Sequence, residues 1–444
     1  MGVKRRSRCL GGQTELPLPE RRRLLQWLML AAAGKRSASA RALRARSAAP
    51  ARVVIVGAGF AGSACALHLR RLDPGIDVSL IDPEEHYATC PMSNAVIAGL
   101  RASATISVSR DGARRAGVNV VRARVAGIDF GRRCVRLEAG DRLDFDRLVV
   151  APGIRFRVDQ LQGYDPAAME SMPHAWQAGA QTLRLAAQLR AMRNGGVVAI
   201  SVPAGLMRCP PAPYERASLI AHYLSRHKPR SKVLIFDSNN HFPRQDLFTA
   251  AWRQLYPGMI EWIAPTEDGA IVRVDAASMT LYTSNGSHSV AVANIIPPQA
   301  PGQLAADSGL AADHGWCPIE PLSFESTLRP GVHVIGDACI ADAMPKAASA
   351  ACSQARQCAR AIAALLAGDE VPAPSFGSVC YVALAPHRAL AINADYVAQH
   401  GQIVLAESPV GAGAADSAAP AFDALQVDAA EQWYRRVRAE AFAG

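Results

Sequence analysis

Gly57, Gly59 and Gly62 stand in Val53-Val-Ile-Val-Gly57-Ala-Gly59-Phe-Ala-Gly62, an apolar strand running into Gly-x-Gly-x-x-Gly. The first glycine permits a tight turn, the second lets a pyrophosphate approach the backbone, and the third packs the following helix on the strand. The helix N-terminus adds free amides and partial positive charge for the phosphates. Asp82 closes the second strand, Asp77–Ile81, where a carboxylate can take ribose hydroxyls. Together these predict a bound dinucleotide. A second apolar strand, Gly196–Val202, leads instead into Pro203-Ala-Gly-Leu-Met-Arg208-Cys209-Pro210-Pro211. The glycines that would cradle NAD(P)H are missing, and Cys209 stands near where its nicotinamide would dock. The source of electrons is therefore expected to be sulfur.

Cys209 precedes a predicted helix, Tyr214–Arg226, whose N-terminus is expected to stabilise a thiolate. Glu215 falls in the first turn of that helix. Buried, it can accept a proton from sulfide or a thiol; the alternative role is to stabilise the helix N-terminus. The ten cysteines include no Cys-x-x-Cys and no haem-attachment Cys-x-x-Cys-His, and there is no His-Glu-x-x-His, so no metal site is expected. Core packing accounts for Cys65, Cys134, Cys352 and Cys358, since cysteine is among the most buried residue types.

The net charge of +10 invites a nucleic-acid reading, but residues 1–50 hold 12 of the 48 Lys/Arg and only 2 of the 38 Asp/Glu. The rest of the chain is balanced, so no basic stripe for RNA or DNA follows. The leader, Arg21-Arg22-Arg23 before the short apolar run Leu24–Gly34, reads as a twin-arginine export signal cleaved near Ala48–Ala49. No segment has the length of a membrane span. The mature protein is expected to be soluble and periplasmic, where disulfides persist.

Asp146–Gly153 and Gly331–Asp337 read as further strands, the latter ending in Gly336-Asp337, followed by Met344-Pro-Lys346 and a small-residue helix, Ala347–Leu366. With the glycine fingerprint first and Gly-Asp late, the dinucleotide domain is expected in two parts, 49–162 and 300–370, around a middle domain at 163–299. A third region, 371–444, contains a Gly/Ala loop at Val410–Ala421 and a terminal helix. Ala430, Trp433, Tyr434 and Val437 share one face of that helix, which reads as core or a subunit contact.

Several unusual strings carry a more specific signal: His86-Tyr87-Ala-Thr89-Cys90-Pro-Met-Ser93-Asn94, Pro173-His174-Ala-Trp176, Arg208-Cys209-Pro-Pro-Ala-Pro-Tyr214-Glu215-Arg216-Ala-Ser218, Gly315-Trp316-Cys317-Pro and Gly336-Asp337-Ala-Cys339-Ile. On these the chain resembles the flavoprotein subunit of flavocytochrome c sulfide dehydrogenase over nearly everything after the leader. The resemblance implies an α/β, glutathione-reductase-like fold with a split FAD domain, a degenerate NAD-like domain and a small C-terminal α+β domain. It implies oxidation of sulfide, a small inorganic sulfur substrate, to zero-valent sulfur or polysulfide, with electrons passed to a c-type cytochrome subunit. Cys90 matches the position whose sulfur bonds the flavin 8α-methyl. Cys209 and Cys380 match a redox-active disulfide over the ring, with Cys317 and Cys339 as rival partners that the family does not use. Asp337 matches a residue that hydrogen-bonds the ribityl chain, and Lys346 would lie by the flavin N1–O2 edge. Trp433 resembles an aromatic on the cytochrome face. A sulfide:quinone reductase, an NADH-dependent flavin reductase and a non-catalytic redox partner of a thiosulfate-oxidising assembly are the alternatives.

Overall fold

The structure, a computed structural model, describes residues 49–313, 315–406 and 424–443. The expected export leader and the Gly/Ala loop at Val410–Ala421 lie outside the described residues.

The chain from Ala51 onward forms one compact unit. It opens with β1 (Arg52–Val56), α1 (Phe60–Leu72), β2 (Asp77–Asp82), β3 (His86–Ala88), α2 (Ser93–Ile97), β4 (Asn119–Arg122) and β5 (Arg147–Val150). The middle segment holds β6 (Val197–Val202), α3 (Ala212–His227), β7 (Lys232–Asp237), β8 (Ile260–Ile263) and β9 (Val292–Ile295). Then come β10 (Val332–Val334), α4 (Ala348–Ala367), β11 (Phe376–Ala385), β12 (Arg388–Gln399), β13 (Gln402–Leu405) and α5 (Ala424–Phe442).

Two parallel sheets result. The first has the order β10-β5-β1-β2-β4. Its fifth strand comes from beyond the middle segment, so the first and last parts of the sequence share one sheet. Parallel strands covered on both faces need continuous apolar runs, and Val53–Val56 are all buried. Helices α1 and α4 pack on this sheet and on one another. The second sheet has the order β8-β7-β6-β9, and β6 pairs in register with β7 from Val197–Lys232 to Val202–Asp237. Its two faces bury separate apolar clusters.

The last strands form an antiparallel meander, β11-β12-β13. β11 lies on both α3 and α4, which ties the tail to the middle segment and to the first sheet. Helix α5 lies on α1 and β12. Its buried stripe is the one expected: Ala430, Tyr434 and Val437 are in the core and Trp433 is partly buried against it, its ring 5.8 Å from that of Tyr381. The stripe serves core packing.

Candidate active site

The three glycines of the first turn do different work. Gly57 has φ +94°, and a Cβ there would lie 2.2 Å from the Ala151 carbonyl oxygen of the neighbouring strand's end. Gly62 would place a Cβ 1.8 Å from the Gly57 carbonyl oxygen, so its missing side chain brings helix and turn into contact. Gly59 is the opposite case. A Cβ there would meet only the Tyr87 hydroxyl, at 4.0 Å, so this glycine faces open space rather than protein. Helix α1 starts beside it with no side-chain cap on its amides. Asp82 holds the turn from below, accepting Ala58 N at 2.7 Å and Glu84 N at 2.9 Å. The buried Arg110 guanidinium lies 3.5 Å from Asp82, donates to the Ala58 carbonyl, and keeps an Nε without a hydrogen-bond partner among the described residues. Across the turn Gly336, at φ +75°, lies so close to Ala61 that a Cβ would come within 2.9 Å. An uncapped helix start, an open glycine and a buried guanidinium with a donor to spare fit the diphosphate of a bound FAD.

The second site is sulfur. Cys209 sits in the loop ahead of α3, at φ +51°, with its amide donating to the Lys346 carbonyl at 2.8 Å and its carbonyl accepting Ala212 N at 2.9 Å. A left-handed conformation is rare for a residue with a Cβ and is held here by those two bonds. Cys380 comes from the middle of β11, opposite Ile392. Both are thiols and both are half-buried. Glu215 joins their two elements: from the first turn of α3 it accepts the Ala383 amide of β11 at 2.8 Å. Charge on Cys380 and on Glu215 acts on Cys209, and charge on Glu215 acts on Cys380. The structure therefore brings Cys380, remote in sequence, to Cys209 and Glu215 in one half-buried cluster.

The electrostatics correct one expectation. The start of α3 does not hold Cys209 as a thiolate. Burial, then the nearby Cys380 and Glu215, push its thiol well above the ordinary range. The helix begins at Ala212, beyond Cys209, and has no group that outweighs desolvation. Cys380 is also raised by burial, but hydroxyls of Ser349 and Ser378 hydrogen-bond its sulfur and oppose the rise. Glu215 is raised by burial, opposed by hydrogen bonds from Ala383 and Asn94 and by the charge of Arg216. A carboxyl raised in this way is a better proton acceptor than a free one.

Cys90 follows β3, and its sulfur faces the Trp176 carbonyl oxygen at 3.8 Å. The neighbouring Thr89 hydroxyl bonds the Tyr434 hydroxyl at 2.8 Å, so α5 buttresses this turn. Asp337 is half-buried, its carboxyl raised by desolvation, and lies 4.0 Å from Arg208. Lys346 is engaged otherwise than expected. Its ammonium donates to the carbonyls of Asp337 at 3.0 Å and Cys339 at 2.7 Å and lies 3.7 Å from the Trp316 ring centroid. Its charge is spent on the Gly-Asp turn. Arg208 is the cation that sits among the others: it donates to the same Trp176 carbonyl that Cys90 faces, and its charge acts on Cys90-adjacent Tyr87, on Asp337 and on Cys209. Cys317 and Cys339 pair with each other by register in two short parallel strands; burial pushes both thiols up to about 12.

Three side chains organise the site without having stood out in the sequence. Arg216, next to Glu215, is 2 % exposed, donates to Asn94, Asn294 and the carbonyls of His174 and Ala175, and stacks 4.9 Å from the Trp176 ring. Asn94 and Asn294 complete this network. Two of them stand inside the unusual strings above, but nothing in their spacing announced a buried cation.

Off the carboxyl ends of β6 and β7, where an NAD-binding sheet would hold its nucleotide, is a pocket of about 220 Å³ lined by Leu206, Met207, Pro210, Phe242, Pro243 and Met344 among others. That is below the roughly 300–1,000 Å³ usual for cofactor sites, and Asn239, His241, Asp342 and Lys346 complete a mixed lining.

A fold of two parallel nucleotide-type sheets with an uncapped glycine turn defines a flavoprotein of the pyridine nucleotide-disulphide oxidoreductase type, and a profile of that description matches residues 51–200. Solved structures agree on the fold: sulfide:quinone oxidoreductase from Aquifex aeolicus superposes with TM-score 0.68 at 17% identity over 89% of this chain and 93% of that one. The putidaredoxin reductase–putidaredoxin complex gives 0.60 at 18% identity over 79% and 82%. Residues 182–297 match a profile described as the central part of the sulfide dehydrogenase [flavocytochrome c] flavoprotein chain. A 45-residue stretch is 56% identical to the flavoprotein chain of that name from Chlorobaculum thiosulfatiphilum, covering 94% of that sequence and 10% of this one. The chain belongs to this family, the flavoprotein chains of flavocytochrome c sulfide dehydrogenase. It is also similar to the mitochondrial sulfide:quinone oxidoreductase of Mus musculus, 21% identical over 78% of each.

Proposed function

We propose that this protein oxidises sulfide to zero-valent sulfur through Cys209 and Cys380, in an exported, periplasmic enzyme that passes its electrons to a c-type cytochrome subunit. The observation that carries the reading is the half-buried cluster of two thiols and one raised carboxyl, built from two remote parts of the chain. FAD, held by the Gly57–Gly62 turn with Asp82, Gly336 and Asp337 and tethered through Cys90, supplies an acceptor that takes electrons in pairs and releases them singly.

The chain's own residues divide the sulfur chemistry unequally. In the oxidised state Cys209 and Cys380 form a disulfide. Hydrosulfide attacks Cys209, the S–S bond breaks, a persulfide forms on Cys209, and Cys380 leaves as thiolate. Cys380 is the better leaving group because Ser349 and Ser378 favour its thiolate, help that Cys209 lacks from any hydroxyl. Glu215 takes the persulfide proton. Rejoining the two cysteines with the terminal sulfur leaving at the zero-valent level gives up two electrons, which bound FAD would accept; without that acceptor the same closure would only return hydrosulfide.

Replacing Cys209 with serine tests this. The variant is expected to keep its flavin and bleach with dithionite while failing to bleach with sulfide; bleaching by sulfide at the wild-type rate overturns the reading. The similarity to sulfide:quinone oxidoreductases over most of the chain favours a second reading, with quinone as acceptor. Among the described residues no helix is long and apolar enough to cross a membrane. Flotation with liposomes, alongside turnover with cytochrome c and with a soluble quinone, separates the two.

A further inference from the structure

Asn94 lies on α2, a few residues past Cys90, and reaches across to α3. Its amide nitrogen donates to Glu215 Oε2 at 2.7 Å and to the Ala212 carbonyl at 3.2 Å, while its carbonyl oxygen accepts Arg216 Nε at 2.9 Å. The oxygen is committed to the guanidinium, which can only donate, so the nitrogen must face the carboxylate. Arg216 is fixed in turn by Asn294 at 2.8 Å and by two carbonyls. The other Glu215 oxygen is held by the Ala383 amide of the strand that carries Cys380. The carboxyl is thus gripped from two sides, and only the Asn94 side has a side chain that could be lost.

We infer that Asn94 is a positioning residue for the thiol chemistry, fixing Glu215 between the helix that follows Cys209 and the strand that carries Cys380. The inference deepens the sulfide reading and rests on it for the role of Glu215. The titratable and charged groups that act on Glu215 or are acted on by it are Arg216 on its own helix, Cys209 on the preceding loop and Cys380 on β11. None of these donates a hydrogen bond to the carboxylate in place of Asn94. The amide favours the ionised form, so removing it should hold the proton on Glu215 to higher pH.

The test uses the full flavin-loaded protein. Infrared difference spectra against pH, with Glu215→Gln as the blank, read the protonated carboxyl directly. Asn94→Leu is expected to move its midpoint upward by about one to two pH units, the worth of a hydrogen bond to a charged group. The acidic limb of sulfide turnover should move by the same amount. Asn94→Gln, which keeps the donor, is expected to return both partway. If Asn94→Leu lowers turnover equally at all pH values and leaves the carboxyl midpoint in place, the residue is merely structural and the inference fails. Should Asn94→Leu fold poorly, Asn94→Asp keeps the acceptor for Arg216 and removes the donor; an unmoved acidic limb in that variant also overturns it. The infrared midpoint does not depend on sulfide reactivity, so failure of the sulfide reading is seen separately, as wild-type protein that does not bleach.

Discussion

Alanine at each of the three turn glycines should separate folding from cofactor binding. At Gly62 the new methyl would lie 1.8 Å from a backbone oxygen, so α1 must move off the turn. Alanine gains about 1 kcal/mol of helix propensity there, but overpacking against backbone costs about 3 kcal/mol or more, leaving a net loss near 2 kcal/mol. Gly57→Ala adds a left-handed φ to a 2.2 Å clash and should be worse. At Gly59 the backbone, φ −72° and ψ −164°, accepts alanine, and the nearest atom is 4.0 Å away. Its fold stability should stay within about 1 kcal/mol of wild type. The methyl points instead into the space assigned to the diphosphate, where displacement by one carbon should cost about 1–3 kcal/mol, or roughly 5- to 150-fold in affinity. The assay is calorimetric melting of apo protein beside FAD titration, both in a Cys90→Ser background so that flavin exchanges freely. If Gly59→Ala melts as low as Gly62→Ala, or binds FAD as wild type does, the assignment of the cradle is wrong.

Other outcomes follow from the same geometry. His174 is buried beside Arg216 and Arg208, its imidazole pushed down to about 4. Its folded value lies below its unfolded one, so stability is present above pH ~6.5 and lost as pH falls towards 4, by as much as about 3 kcal/mol; urea melts of His174→Gln should show a shallower acid loss. Glu215 has the opposite sign. Burial raises it, so its contribution is full below the ordinary carboxyl range and lost as pH rises through the raised value; Glu215→Gln should gain on wild type in melts as pH rises. Arg216→Leu leaves Asn94, Asn294 and two carbonyls without their donor and should destabilise by about 3–5 kcal/mol, read as a fall in urea midpoint. NADH should not bleach the flavin, because the loop after β6 is a proline-bounded, mostly apolar wall; stopped-flow bleaching by NADH would contradict this.

The parallel sheets were legible because their strands are unbroken apolar runs, and the glycine turn because only glycine fits Gly57 and Gly62. The helix ahead of which Cys209 stands was read to within two residues of its observed Ala212–His227. The sign of the Cys209 ionisation was not legible: sequence shows a neighbouring helix, while burial among like charges is a property of the assembled cluster. The bonds of Lys346 were not legible for a related reason, since they go to carbonyls of a turn that no side-chain pattern encodes. Arg216 was hidden by its charge. An arginine on an otherwise amphipathic helix suggests solvent, and only the convergence of Asn94, Asn294 and two carbonyls makes its burial affordable.

The meander that begins at Phe376 has a consequence for how the molecule is made. During synthesis the glycine turn, both parallel sheets and Cys209 emerge first, and N-terminal units fold as they leave the ribosome. For that interval Cys209 is without the strand that carries its partner thiol, while Cys339 is already on the chain. A protein interrupted before β11 should remain inert towards sulfide. The thiol pair is therefore completed last, by the docking of the final meander.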